Sequence, residues 1–556
     1  MIGCREFVEA HDLVGCHYRL VQARRYPETP ATESSQERAL RSADARAEVA
    51  ALLPVAPALG DGRRRNFRRI DLGPLPAGDA AAVECREFDT LEALAWQPDL
   101  VTGAVLAGTT GNTETGDTAG SMGTPGGADI PHNGQAGNDG NTPVEWKVSV
   151  DALVRTGDNA YLPVMVSNHR VAREKAGGAV AVLPTHRAGL GRPITEEFAL
   201  RQHSVDGYRL GLAARALDEL GLATGRGGLI GQDRRRIFLM DTQRFQRGLS
   251  NALDAVQPEA LPQAPRRRKE CASCRFWDYC EQELRDADDI SLFLSGDRAD
   301  QLRERGITTV EALRRADSAI AGDYPQLADA WRRGIPFLAR QQAEEMRIPR
   351  ADVELDIDME AYLDQGAYLW GVWDGADYHP FVTWDELGGA AEAKNFADFW
   401  DYVCTRRRQA EAAGMSFRAY CYSAHGENHW MRRSAKRFAG QPGVPTSKEI
   451  DAFIGSTQWV DVFRYAKQFL ADTAGMGLKQ VAATAGYTWP DEDVDGEQSV
   501  NARRRAVGTG AEALRLRQQL LGYNRGDCQA TRVVRDWLCA GAPGVPRMRG
   551  AARAGA

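Results

Sequence analysis

The chain has 556 residues, 43% of them hydrophobic and 26% charged, and a formal net charge of −7. At roughly 100–200 residues per domain this predicts about three domains, each with enough chain for its own core. The acidic balance excludes a wholly basic nucleic-acid coat protein, though not a local basic groove. No apolar run approaches the roughly 20 residues a membrane-spanning helix needs, so no membrane partner is expected. The N-terminal stretch is charged from Arg5 and has no apolar h-region, which predicts a cytoplasmic protein.

Helical stretches and short apolar runs alternate over the first hundred residues. Residues 108–142 are rich in Gly, Thr and Asn with almost no large apolar side chain. Such a segment cannot offset its ordering entropy, and a disordered insertion is expected. Two strand-like runs follow, Val144–Arg155 and Ala160–Val171, split by the turn sequence TGDN. Asp206–Gly221 reads as an amphipathic helix, with Tyr208, Leu210, Leu212, Ala213, Leu217 and Leu220 mostly on one face. Arg266–Lys269 is a basic run, either a solvated linker or a phosphate-contacting patch.

Ten cysteines are spread unevenly, and Cys271, Cys274 and Cys280 form a C-x2-C-x5-C cluster. In a chain without an export signal this spacing predicts a metal or cluster site rather than disulfides. Three thiolates need a fourth ligand. Cys16 is the first choice, since it follows Asp12, a helix-capping residue type, and precedes basic residues; Cys4 comes second and Cys85 third. Spacing alone leaves a structural zinc site and an iron–sulfur cluster both open. Either would staple the N-terminus to residue 280 and enclose one domain.

The pattern of a distant N-terminal Cys plus C-x2-C-x5-C around an α/β segment resembles the iron–sulfur RecB-like nucleases. That resemblance implies a PD-(D/E)xK α/β fold over residues 1–285 and a [4Fe–4S] cluster on Cys16, Cys271, Cys274 and Cys280, with structural Zn²⁺ as the alternative. Asp151 fits the family's first acid. Met165-Val-Ser167 stands where E-x-K should, and Arg209 and Ala213 align with Q-x-x-x-Y. The literal E-x-K at Glu145-Trp-Lys147 has only Asp129 upstream, inside the low-complexity insertion, a poor place for a preorganised ligand. The expectation is a degraded nuclease core that keeps its fold and its capacity to bind nucleic acid.

Residues 286–348 read as a helical hairpin connector, with a Gly306-Ile-Thr-Thr corner that could hold a nucleic-acid backbone or simply pack. The next unit spans 349–540. Val353–Glu360 alternates strictly: Val353, Leu355, Ile357 and Met359 on one face, Glu354, Asp356, Asp358 and Glu360 on the other. Four carboxylates on one strand face repel each other, so the face is either open to solvent or holds divalent cations. Ala367–Trp373 would be the neighbouring antiparallel strand. Glu427 follows the strand-like Arg418–Tyr422, where a strand-end ligand would sit. Tyr523 and Asp527 lie four apart and share a helix face.

An acidic first strand, an acid after a later strand and a terminal Y-x-x-x-D together resemble the DnaQ-like (DEDD) exonucleases. More closely they resemble the YprB-type RNase H-like domains fused to RecB-like nucleases, with Trp459-Val-Asp461 and Leu478-Lys479 as further matches. The resemblance implies an RNase H-like domain holding Mg²⁺ or Mn²⁺ on Asp356, Asp358, Glu427 and Asp527, with Tyr523 orienting water. Asp358/Glu360 is the alternative first pair. Ser423 stands where that family usually has Asn. The implied activity is a 3′–5′ exonuclease on DNA or RNA in repair or processing, beside repair or helicase proteins. An inactive nucleic-acid-binding scaffold and a redox-regulated nuclease are the rival readings. His425 and His429 are weighed as acid/base groups, and Lys479 as a phosphate contact. Cys528 and the tryptophans Trp370, Trp373, Trp400 and Trp430 are expected in the core. The tail, residues 541–556, is Gly/Ala/Arg-rich and expected to fray.

Overall fold

The computed structural model describes residues 7–55, 67–75, 80–110, 143–157, 159–340, 347–363, 365–473, 475–489 and 496–549. The chain folds as two compact α/β units, Met1–Glu283 and Leu284–Ala556. No helix among the described residues is long and apolar enough to cross a membrane.

The first unit contains strands β1 (Arg69–Asp71), β2 (Leu100–Thr109), β3 (Glu145–Arg155), β4 (Tyr161–Val166), β5 (Ala172–Glu174), β6 (Val180–Pro184), β7 (Ile194–Glu196), β8 (Phe198–Leu200), β9 (Arg226–Ile230) and β10 (Arg236–Asp241). Eight of them form one mixed sheet in the order β1-β2-β3-β4-β9-β10-β6-β7, and β5 pairs with β8. The sheet is covered on both faces. Leu210, Ala213 and Leu217 of the helix Ser204–Glu219 pack with Val101, Val150 and Met165 on one side. Ala45 and Val49 of the helix Glu33–Leu52 pack with Ala152, Val154 and Val164 on the other. The helix read from Asp206 thus starts two residues earlier, and the strand read over Ala160–Val171 stops at Val166. The expected disordered insertion begins inside β2, which continues to Thr109; residues 111–142, Asp129 among them, lie outside the described residues.

The second unit opens with short helices. At the Gly306 corner, Asp297–Glu304 and Val310–Arg315 meet, Gly306 takes a left-handed φ of 80°, and the Thr309 hydroxyl caps Ala312 N–H at 3.0 Å. Then come β11 (Phe337–Ala339), β12 (Val353–Tyr362), β13 (Gly366–Trp373), β14 (Tyr378–Val382), β15 (Phe417–Cys421), β16 (Trp459–Asp461) and β17 (Leu470–Asp472). Five form a sheet in the order β14-β13-β12-β15-β16, antiparallel through β12 and parallel from β12 to β16. Leu355 and Ile357 enter a core with Trp370, Phe396, Phe399 and Trp400. The opposite, acidic face of β12 lies under the long helix Ala511–Cys539, whose buried residues include Asn524, Asp527, Cys528 and Arg535. The expected fraying of the tail does not hold through residue 549. Met548 is buried and its N–H donates to Ala339 at 2.9 Å, because β11 offers an unpaired edge carbonyl there. Residues 550–556 lie outside the described residues.

Candidate metal-binding site

The four acids of β12 share a face but not an environment. At the N-terminal end, Arg535 enters fully buried from the long helix. Its guanidinium meets Asp356 Oδ1 at 2.6 Å and Glu354 Oε2 at 3.0 Å and stacks 3.9 Å from the Tyr420 ring centroid. Arg350 adds a second fork on Glu354, at 2.8 and 2.9 Å, and the Tyr420 hydroxyl donates to the same carboxylate at 2.9 Å. Burial raises the Glu354 carboxyl, but Arg350, Arg535 and their hydrogen bonds outweigh it and hold the group below its ordinary range. Asp356 has no exposed surface, and burial, opposed by Arg535 and Arg532, pushes it up to about 7. Asp356, expected from the sequence as a metal ligand, is paired with an internal cation instead.

Two residues on, the situation reverses. One carboxylate oxygen each from Asp358, Glu360 and Asp527 lie within 4.8 Å of one another. Burial and mutual repulsion raise Asp358 well above its ordinary value, with Asp527, Glu360 and Glu427 each contributing. Burial, then Asp527, pushes Glu360 up to about 8. Asp527 rises to about 6: burial lifts it, while hydrogen bonds from Trp489 and Tyr523 and the charge of Lys479 pull it down. Hard oxygen donors gathered in a recessed group of like charge are the donor set that Mg²⁺ or Mn²⁺ takes.

Neutral donors orient these acids. Asn524 Nδ2 donates to Asp358 Oδ2 at 2.7 Å, and Asn524 Oδ1 accepts from the Tyr378 hydroxyl at 2.7 Å. Gly371, paired with Asp358 across β12 and β13, makes room for that amide: a Cβ there would lie 1.8 Å from Asn524 Oδ1. Ser499 donates to Glu360 Oε2 at 3.4 Å, and Trp489 Nε1 donates to Asp527 Oδ1 at 2.9 Å. Tyr523 sits one turn before Asp527 on the same helix, hydrogen-bonded to it, with Lys479 Nζ 5.1 Å from its ring centroid. Burial and the three nearby acids raise the Tyr523 hydroxyl strongly, so it stays a neutral phenol.

Glu427 lies in the first turn of the helix His425–Arg437, just past the end of β15. Ser423 makes the turn between them at a φ of +68°, a conformation that Asn tolerates better than Ser, and its N–H donates to Asp461 Oδ1 at 3.0 Å. Glu427 is 5% exposed, and burial pushes it up to about 8. Its Oε2 has no hydrogen-bond partner among the described residues. Its charge reaches Asp358 and Glu360, yet it stands outside the close group of three.

Residues 356–539 match the family model of the RNase H superfamily. The C-terminal domain is RNase H-like. No curated protein and no solved structure matches the chain. The matched segment begins at Asp356 and includes Asp358, Glu360, Glu427, Tyr523 and Asp527. Within the RNase H-like domain, Asn524, Trp489, Ser499 and Arg535 escaped the sequence reading. Each is a common residue type on a helix or loop, and only the spacing Asn524-x2-Asp527 hinted that one of them shares a face with a ligand. Trp370 stacks on Phe399 at 4.7 Å, and Trp400, Trp430 and Cys528 are buried, as filler. His425 opens the Glu427 helix, and His429 packs edge-on against Trp430.

In the first unit, Asp151 on β3 accepts from Val166 N–H at 2.7 Å and is ion-paired to Arg209 at 3.1 Å and Arg46 at 2.8 Å. Arg209, which stands where Q-x-x-x-Y would begin, thus puts a guanidinium on the acid. Met165 is buried and apolar, and the Ser167 hydroxyl donates to Asp206 at 2.6 Å. Lys147 of the literal E-x-K is buried between Glu87 at 3.1 Å and Glu145 at 3.3 Å, a structural ion pair.

The charges of Cys16 and Cys274 act on both Cys271 and Cys280. Burial raises Cys271, and Cys16 and Cys274 raise it further; burial, then Cys274 and Cys16, pushes Cys280 up to about 11 despite a hydrogen bond from Gln22. Gln22 and Tyr18, on the helix just after Cys16, both donate to Glu283 on the helix that carries Cys280, at 2.9 and 2.6 Å. Cys85 is exposed, and Cys4 lies outside the described residues.

Proposed function

We propose that this protein is a metal-dependent nuclease whose RNase H-like domain hydrolyses phosphodiester bonds, as a 3′–5′ exonuclease on DNA or RNA. The observation that carries the reading is the group Asp358, Glu360 and Asp527: three carboxylates with one oxygen each within 4.8 Å of one another. Glu427, with an orphaned buried oxygen, supplies a fourth acid at the edge of the group. A divalent cation there would lower the pKa of a bound water and stabilise the leaving oxygen. Tyr523, held neutral, donates to Asp527 and keeps lone pairs to orient a water. Lys479, above its ring, is placed to meet a phosphate.

The first unit, in this reading, is a RecB-like nucleic-acid-binding platform whose nuclease centre is closed by Arg46 and Arg209. Cys16, Cys271, Cys274 and Cys280 match in number the donors of a [4Fe–4S] cluster and equally those of structural Zn²⁺. Iron and sulfide in the purified chain, lost from Cys274→Ser, would support the cluster; zinc in their place would support the alternative. The protein would act in the cytoplasm, in nucleic-acid repair or processing.

The test is an assay of purified protein on end-labelled single-stranded DNA and RNA with Mg²⁺ or Mn²⁺, beside Asp358→Ala and Asp527→Ala. Metal-dependent trimming from the 3′ end, lost in both variants, is the expected result. Activity surviving both would move the chemistry elsewhere. Salt-dependent binding without cleavage in any sample would favour the scaffold reading.

A further inference from the structure

Trp489 lies well apart in sequence from every acid of the group, yet it is bonded directly to one of them. Its indole N–H, a donor with no acceptor capacity, reaches Asp527 Oδ1 at 2.9 Å. The ring sits against the backbone of Gly526. A Cβ on that glycine would lie 2.5 Å from indole Cδ1 and 2.9 Å from Nε1, so no other residue leaves the ring its place. Gly526 lies deep inside the long helix, where glycine costs about 1 kcal/mol relative to alanine. The ring also meets Tyr487, edge-on at 4.9 Å, and the Tyr487 hydroxyl meets Gln529 Oε1 at 3.1 Å on the same helix. The indole is therefore fixed by the helix that carries Asp527, and it fixes one oxygen of that carboxylate in return.

We propose that Trp489, seated on Gly526, is a positioning residue for the metal-binding face: it locks the Asp527 carboxylate in the rotamer that presents an oxygen to Asp358 and Glu360. The proposal rests on reading that face as a metal site. A donor-only partner suits the task, because it favours the ionised carboxylate. Two variants separate this role from a merely structural one. Trp489→Phe keeps a ring over Gly526 and removes the N–H. Gly526→Ala keeps the indole and removes its seat, while improving the helix locally.

The experiment is Mn²⁺ binding to the full chain by electron paramagnetic resonance, with the melting temperature of the metal-free protein measured alongside. Removing a hydrogen-bond partner of a ligand costs roughly 10–100-fold in metal affinity, so about a tenfold weakening is expected in both variants, with the melting temperature of Gly526→Ala unchanged or raised. Wild-type affinity in both variants would overturn the proposal and leave the metal site standing. So would a loss of affinity that only follows a loss of thermal stability. Absence of Mn²⁺ binding by the wild type, with Asp527→Asn indistinguishable from it, would overturn the metal reading and this proposal together.

Discussion

Asp151 in the first unit and Asp358 in the second are both recessed carboxylates on the central strands of a mixed sheet, and the chain surrounds them with opposite chemistry. Asp151 accepts from Arg209 and Arg46; its charge is compensated within the fold. Asp358 has Glu360, Asp527 and Glu427 for neighbours and takes its hydrogen bond from the neutral amide of Asn524. A fold can hold a lone buried acid by supplying a guanidinium. It can hold several without one only if a cation arrives from solution or a proton is retained. The difference distinguishes a closed acid site from an open one, and β12 repeats it within a single strand, where Arg535 closes Asp356 and leaves Asp358 and Glu360 open.

The comparison breaks first on catalysis. Asp358→Asn and Asp527→Asn should each lower metal-dependent cleavage about a thousandfold, since several kcal/mol of charge stabilisation depart with the cation. Asp151→Asn should leave the rate unchanged; a comparable loss there would move the chemistry to the first unit. Next comes Arg535. Arg535→Met strands a buried Asp356 and should destabilise the second unit by about 3–5 kcal/mol in denaturant unfolding. The pair Asp356→Leu with Arg535→Met should recover most of that, because well-packed apolar residues replace a buried ion pair at little cost.

A pH titration sharpens the contrast. Glu360 and Glu427 are pushed up to about 8 and Asp527 to about 6, all above the values of an unfolded chain. The folded state then binds more protons than the unfolded state, so metal-free stability should fall as pH rises from about 5 to 8. Denaturation at both pH values in a chelator should reveal that slope, and saturating Mn²⁺ should flatten it. A flat profile without metal would mean that the acids are compensated after all. The smallest effect belongs to Asp151→Asn, about 1–2 kcal/mol, because Arg46 and Arg209 keep partial access to water. An unchanged midpoint for that variant would show that solvent replaces the ion pairs in full.

Much of the second unit was legible in the chain. The strict alternation of Val353–Glu360 shows which side of β12 is acidic, because successive side chains on a strand must point to opposite faces. The four-residue spacing of Tyr523 and Asp527 shows that they share a helix face. In the first unit, the lack of an acid or a lysine over residues 165–167, on the strand after Asp151, was equally plain. The partition of the acids was not. A period of two is the same at Asp356 as at Asp358, and nothing near β12 says where a cation will land.

That decision belongs to Arg535, some 180 positions away, and to the way the long helix crosses the strand. Two turns of the helix separate Arg535 from Asp527, which brings the arginine over Asp356 and the aspartate over Asp358 and Glu360. Trp489 reached Asp527 by the same kind of long-range closure. The sequence by itself determined which residue types are present and on which face each one lies, since those follow from local backbone geometry. Only the tertiary structure decided which charges cancel, because electrostatic compensation is settled by distances across the fold.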